Sequence, residues 1–168
     1  MQFKLHRLAV AGSLILLLSA CGFQLRGMAS GPTVFPFTSL YIADSTDRTI
    51  GAEVRRVMQG NVSTRVVDVA QGAQATLQIT NAVNEKDILS TSTEGRVREF
   101  QLRYRASFRL IDAKGEELIP ASEIIRERVL PFTDEQIVAK EAEEALLVKE
   151  MQTDIVQQIV RQLARPQL

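Results

Sequence analysis

Between Phe100 and Leu110 the chain alternates without a break. Phe100, Leu102, Tyr104, Ala106, Phe108 and Leu110 share one parity; Gln101, Arg103, Arg105, Ser107 and Arg109 share the other. Successive side chains of a strand point to opposite faces, so this run reads as a strand with one face in a core and a polar, cationic reverse. Such a strand belongs to a sheet covered on one side only. Asp112-Ala113-Lys114-Gly115 predicts a tight turn after it, and Glu116–Leu130 returns as the partner strand. Pro120 marks that partner as an edge strand or a bulge, and Pro131 ends it.

Around this hairpin the other elements follow from their periods. Ala75, Leu77, Ile79 and Val83 interleave with Thr76, Gln78 and Thr80 as a second half-buried strand, and the polar stretch Asn84–Gly95 reads as a separator. Ser39–Ala43 is a short apolar strand. Asp44-Ser45-Thr46-Asp47 offers N-cap side chains to a helix over Arg48–Gln59, with Ile50, Val54, Val57 and Met58 on one face. Gly60-Asn61 is expected to end it as an αL cap, and Thr64–Val69 to form a strand closing a right-handed βαβ crossover. A long amphipathic helix runs from Asp134 to Arg165, with Val138, Ala142, Ala145, Leu146, Met151, Ile155, Ile159, Val160 and Leu163 at three- and four-residue steps. Glu141, Glu143 and Glu144 suit its early turns, Arg161 and Arg165 its end, and Pro166 closes it. The expected fold is α+β: two helices packed on one face of a mixed, mostly antiparallel four- to five-stranded sheet. There are no internal repeats and no second globular domain.

The amino end has a different character. A basic head holding Lys4, His6 and Arg7 precedes an apolar run from Leu8 to Leu18. At about 1.5 Å per residue that run reaches about half of a roughly 30 Å hydrocarbon core, too short to span but right for a signal peptide. Its exit, Leu18-Ser19-Ala20-Cys21, resembles the lipobox of bacterial lipoproteins. The resemblance implies a cleaved signal peptide at 1–20, a lipidated leader at 21–38 and a single domain at 39–168. It also implies a diacylglycerol and an N-acyl chain on Cys21 as the only covalent additions, and no other cofactor. Three acyl chains make a permanent tether. Gly22, where enteric lipoproteins retained at the inner membrane carry Asp, is compatible with export to the outer membrane. Residues 22–38 hold three Gly and two Pro and read as an extended leader.

Cutting after Ala20 removes two basic residues and no acid. From 168 residues with 20 basic and 20 acidic side chains, it leaves 148 residues and a formal charge of −2. The mature chain then holds no histidine, and its one cysteine is its first residue. His-based triads, Cys–His dyads and zinc sites on nitrogen or sulfur are excluded. No phosphate-cradling glycine motif occurs, and the charge balance offers no field for nucleic acid. The carboxylate pairs Glu116-Glu117, Asp134-Glu135 and Glu143-Glu144 sit in turns and on solvent-facing helix positions, where nothing raises a carboxyl pKa. No enzyme is expected. Positive charge is more suggestive: Arg96, Arg98, Arg103, Arg105 and Arg109 cluster around one strand, and Arg126 and Arg128 lie on the next, within reach of neighbouring regions of the sheet. One account is a solvated face in which arginines meet Glu123 and Glu127 across strands. The other is a surface for a multiply phosphorylated or carboxylated ligand. On the residues alone the first has more weight.

The stretch Cys21-Gly22-Phe23-Gln24-Leu25-Arg26-Gly27 after the lipobox resembles the opening of the LptE family of lipopolysaccharide-assembly lipoproteins. Glu99-Phe100-Gln101-Leu102, Val138-Ala139-Lys140-Glu141, Leu147-Val148-Lys149-Glu150-Met151 and Gln157-Gln158-Ile159-Val160-Arg161-Gln162-Leu163 are similar to later segments of it. The resemblance implies a non-enzymatic lipoprotein that plugs and helps to assemble the outer-membrane β-barrel LptD and binds lipopolysaccharide. It would face the periplasm on its lipid anchor, with its domain within or beneath the barrel lumen. The family's basic contact at the start of the last helix falls on Lys140. The one before the long strand falls on Thr93, with Arg96 and Arg98 shortly after it, so Lys140, Arg96, Arg98 and Arg103 are the candidate ligand contacts. The alternative is another lipid-anchored accessory, a transporter auxiliary or a pilotin-like adaptor.

Overall fold

The computed structural model describes residues 34–43, 48–133 and 137–165. The signal peptide, Cys21, the capping candidates at 44–47, the Asp134-Glu135 pair and Pro166 lie outside the described residues. The elements are β1 (Ser39–Ala43), α1 (Arg48–Gln59), β2 (Arg65–Val67), β3 (Ala75–Thr91), β4 (Val97–Asp112), β5 (Glu117–Pro131) and α2 (Ile137–Leu163). They form one five-stranded sheet in the order β2-β1-β3-β4-β5. β1 pairs parallel with β2 and β3, and the other pairings are antiparallel. Both helices pack on one face, giving the α+β architecture expected.

The alternating run behaves as its parity requires. Leu102, Tyr104, Ala106, Phe108 and Leu110 are buried beneath the helices, together with Leu40, Ile42, Leu77 and Ile79 of the neighbouring strands. Ile50, Val54 and Met58 of α1 and Met151, Ile155, Ile159 and Leu163 of α2 close the core from above. Phe35 and Phe37, at the end of the stretch read as a leader, also lie in this core. At the β4–β5 turn the Asp112 carboxylate accepts from the Lys114 and Glu116 amides, each at 2.8 Å, and Gly115 takes φ +88°. β5 is an edge strand, and its register slips around Pro120, between the pairs Phe108–Ser122 and Leu110–Ile119. The proline thus sits where a missing N–H costs no ladder bond.

Four expectations are corrected. The polar stretch Asn84–Gly95 is not a separator, since β3 continues through it to Thr91 and pairs with β4 as far as Val97. A bulge between Ile79 and Asn81 shifts the side-chain phase, and beyond it the strand has no continuous core to face, so its apolar alternation stops while its backbone ladder does not. The α1 terminus is not an αL cap: neither Gly60 nor Asn61 has positive φ, and Asn61 N–H closes a tight last turn onto Met58 O at 3.0 Å. On α2, Val138 is 80% exposed, Leu146 is 57% exposed, and Ala142 and Ala145 are exposed as well. A 27-residue helix is about 40 Å long, and its first turns run past the buried layer. Finally, Arg126 and Arg128 oppose Tyr104 and Leu102, which places them on the helix-covered face, opposite to Arg103 and Arg105.

Candidate functional site

Most of the arginine cluster is neutralised. On the open face of the sheet, Arg103 donates to Glu127 at 2.7 Å and lies 3.7 Å from Glu85 and 4.0 Å from Asp87. The Glu127 hydrogen bond and charge, helped by Glu85 and Asp87, push the Arg103 pKa above its ordinary value. Arg103 therefore stays charged throughout the physiological range. Arg105 bonds Glu85 at 2.8 Å with Glu123 at 3.9 Å, and Arg109 donates to Gln78 at 2.7 Å with Glu117 at 3.6 Å. The result is acid–base–acid across three strands, and the cross-strand account of these arginines is the one that holds. On the covered face Arg128 reaches Asp154 at 3.1 Å and Arg126 bonds Gln158, tying β5 to α2. These two contacts also fix the direction of α2, which runs antiparallel to β5.

Arg96 and Arg98 differ. Both are exposed, and neither has an ion-pair partner among the described residues. They stand where β3 turns into β4. There the Ser92 N–H donates to Arg96 O at 2.7 Å, Gly95 N–H donates to Ser92 O at 3.0 Å, and Gly95 sits at φ +78°. Ser92 Oγ accepts from the Arg96 amide at 3.2 Å, and the Arg98 carbonyl accepts from Phe132 N–H at 2.8 Å. The two arginines line a cavity of about 730 Å³ with Ser90, Ser92, Glu99 and Phe132. Such a site offers two guanidinium groups with no ion-pair partner among the described residues, hydroxyls and an aromatic wall to an anionic ligand with some apolar surface, beside the carboxylates of Glu94 and Glu99.

Lys140 begins the helix that lies over this end of the sheet. Its Nζ is 2.7 Å from Glu143, and its side chain is 17% exposed. One turn on, Glu144 accepts from Lys86 of β3 at 2.6 Å. The Lys86 ammonium also stands 4.4 Å from the centroid of Phe100, whose ring meets Phe132 edge-on at 5.3 Å. The structure therefore gathers Arg96, Arg98 and the start of α2 toward one end of the sheet. It leaves Arg103 on the open face inside its acid network. Lys86 escaped the sequence reading, and Glu144, placed there on a solvent-facing position, instead meets the sheet with its side chain 26% exposed. The available signal was the inward stripe itself: counted back from Ile155 through Met151 and Val148 in steps of four and three, it reaches Glu144 and then Lys140, charged residues where apolar ones are expected.

Among the described residues no group of His, Cys, Asp and Glu could hold a metal ion, and no helix is long and apolar enough to cross a membrane. The model of the family described as LptE, lipopolysaccharide-assembly, matches residues 37–163, which takes in every strand and both helices. The chain belongs to the LptE family. It is 29% identical over 165 residues to the LPS-assembly lipoprotein LptE of Yersinia pestis strain Pestoides F, covering 94% of this chain and 76% of that one. The solution structure of an uncharacterized lipoprotein B from Nitrosomonas europaea superposes with a TM-score of 0.72 at 46% identity, over 85% of this chain and 90% of that one. The crystal structure of rare lipoprotein B from Shewanella oneidensis gives 0.64 at 26% identity, over 76% and 94%.

Proposed function

We propose that this chain is an outer-membrane lipoprotein, moored by acyl groups on Cys21, that plugs and helps to assemble the LptD β-barrel and binds lipopolysaccharide during its passage to the outer leaflet. The observation that carries the ligand half is that Arg96 and Arg98 are exposed and have no ion-pair partner among the described residues, while Arg103, Arg105, Arg109 and Arg128 are each met by carboxylates. Free guanidinium forks suit phosphate and carboxylate groups. Lys140 supplies a third cation from α2, and Arg103 acts from the open face, where three carboxylates already share its charge. For the barrel half, the open face carries Val83, Ile125 and Val129 exposed among a network in which Arg103, Arg105 and Arg109 are all met by carboxylates, with acid in excess. A polar face of this kind, its arginines already paired, can lie against the polar interior of a large barrel.

Photo-crosslinkers at Val83, Ile125 and Val129 in intact cells are expected to capture one large β-barrel protein. Cys21→Ser is expected to free the chain from the membrane fraction while leaving cooperative unfolding unchanged. Capture of an inner-membrane transporter or a secretion channel instead would favour the reading as a transporter auxiliary or pilotin-like adaptor.

A further inference from the structure

Among the described side chains of α2, none from Val138 to Leu146 is buried, and the first buried one is Met151. Polar side-chain contacts that tie α2 to the sheet include Arg126–Gln158 and Arg128–Asp154 in its second half, and Lys86–Glu144 in its first. Lys86 occupies an unusual place. It opposes Leu102 in the β3–β4 register, so it stands on the covered face beyond the buried layer, with its side chain 36% exposed. Its charge is met twice, by Glu144 and by the Phe100 ring. Phe100 in turn abuts Phe132, which lines the cavity of Arg96 and Arg98.

We propose that Lys86 is a positioning residue: it fixes the start of α2, and with it Lys140, relative to the Arg96–Arg98 turn, so that one anionic ligand meets all three cations together. This inference rests on the ligand reading above. Lys86 touches no ligand in this account and acts through Glu144 and Phe100. Its effect is one of preorganisation: without it the Lys140 segment must be ordered when ligand binds, and affinity falls although no contact to ligand is lost.

The test uses the full-length lipidated chain in detergent, with purified bisphosphorylated lipopolysaccharide as probe, and pairs binding with amide hydrogen exchange. Lys86→Gln and Glu144→Gln should each lower affinity by roughly three- to tenfold, the range of a partly exposed ion pair with a cation–π contact. Both should speed exchange across 137–146, with exchange in β4 unchanged. Lys86→Arg should keep most of the affinity, and the swapped pair Lys86→Glu/Glu144→Lys should recover part of both affinity and protection, since it restores the ion pair and not the contact with the Phe100 ring. Unchanged exchange at 137–146 in Lys86→Gln overturns the clamp. A swapped pair that regains protection at 137–146 but none of the affinity overturns it too, because Lys86 would then be meeting ligand itself. Arg96→Glu/Arg98→Glu separates the two levels: undiminished binding there removes the ligand from this turn, and the functional role of Lys86 with it, while exchange at 137–146 still reads the clamp.

Discussion

The two ends of the sheet are built on different principles. At the end formed by β1, β2, the first residues of β3 and the second half of α2, apolar side chains from both layers interlock: Leu40, Ile42, Leu77, Phe108 and Leu110 below, Ile155, Ile159 and Leu163 above. At the other end β3, β4 and β5 continue beyond β1 and β2, held by backbone ladders, by ion pairs on the open face and, on the covered one, by Leu102, Leu130 and the Lys86–Glu144 pair. Apolar burial is non-directional and strong per residue; exposed ion pairs are weak singly but fix geometry. The first end therefore carries stability, and the second presents charge in a fixed arrangement at little gain in stability.

The sharpest way to break this comparison is to truncate a side chain at each end. Phe108→Ala, beneath the helices, should cost about 3–5 kcal/mol in urea unfolding, the range for removing a buried aromatic ring. Ile88→Ala, on the extended part of β3 where the side chain is 59% exposed, should stay within about 0.5 kcal/mol. Comparable losses would mean that the far end has a core of its own.

Charge reversal should show the opposite ranking. Arg98→Asp and Lys140→Asp are expected to weaken lipopolysaccharide binding by about tenfold or more, since each replaces attraction by repulsion. Arg109→Asp should change it less than about twofold, because Arg109 sits beside Gln78 and Glu117 at the core end. Equal losses for all three in a pull-down would leave the unpaired arginines with no special role.

What could be read from the residues divides along the same line. The β4 parity was legible residue by residue, because burial on one face imposes it. The bounds of β1 and α1 were legible for the same reason, although Val57, counted on the inward face of α1, is 42% exposed and the helix end is no αL cap. The continuation of β3 was not: the bulge at Thr80 reverses the phase, and polar side chains on both faces leave no periodic mark. The exposed stripe of Val138, Ala142 and Leu146 keeps a helical period without a core beneath it, so periodicity alone chose the wrong face. For the site, the arginines were visible as a cluster, but which of them kept free charge depended on cross-strand register, and one residue of slip moves a side chain to the other face. That is how Arg126 and Arg128 came to lie opposite the others.

The smallest expected effect uses one substitution at two glycines. Gly95, in the turn that carries Arg96, has φ +78° with open space where a Cβ would go, so alanine there meets no clash but holds a strained backbone. Gly95→Ala should cost about 1 kcal/mol by urea unfolding. With no core behind the turn, part of that strain should be relieved by movement, visible as changed amide shifts at Ser92 and Arg96. Gly60 closes α1 over the core end, its φ is not positive, and an added Cβ would lie 3.5 Å from Val57 O, an ordinary contact. Gly60→Ala should therefore be neutral or stabilising by up to about 0.5 kcal/mol, through the unfolded state alone. If Gly60→Ala instead cost as much as Gly95→Ala, the helix end would need the left-handed conformation after all, and the firm packing assigned to that end of the sheet would not extend to its first crossover.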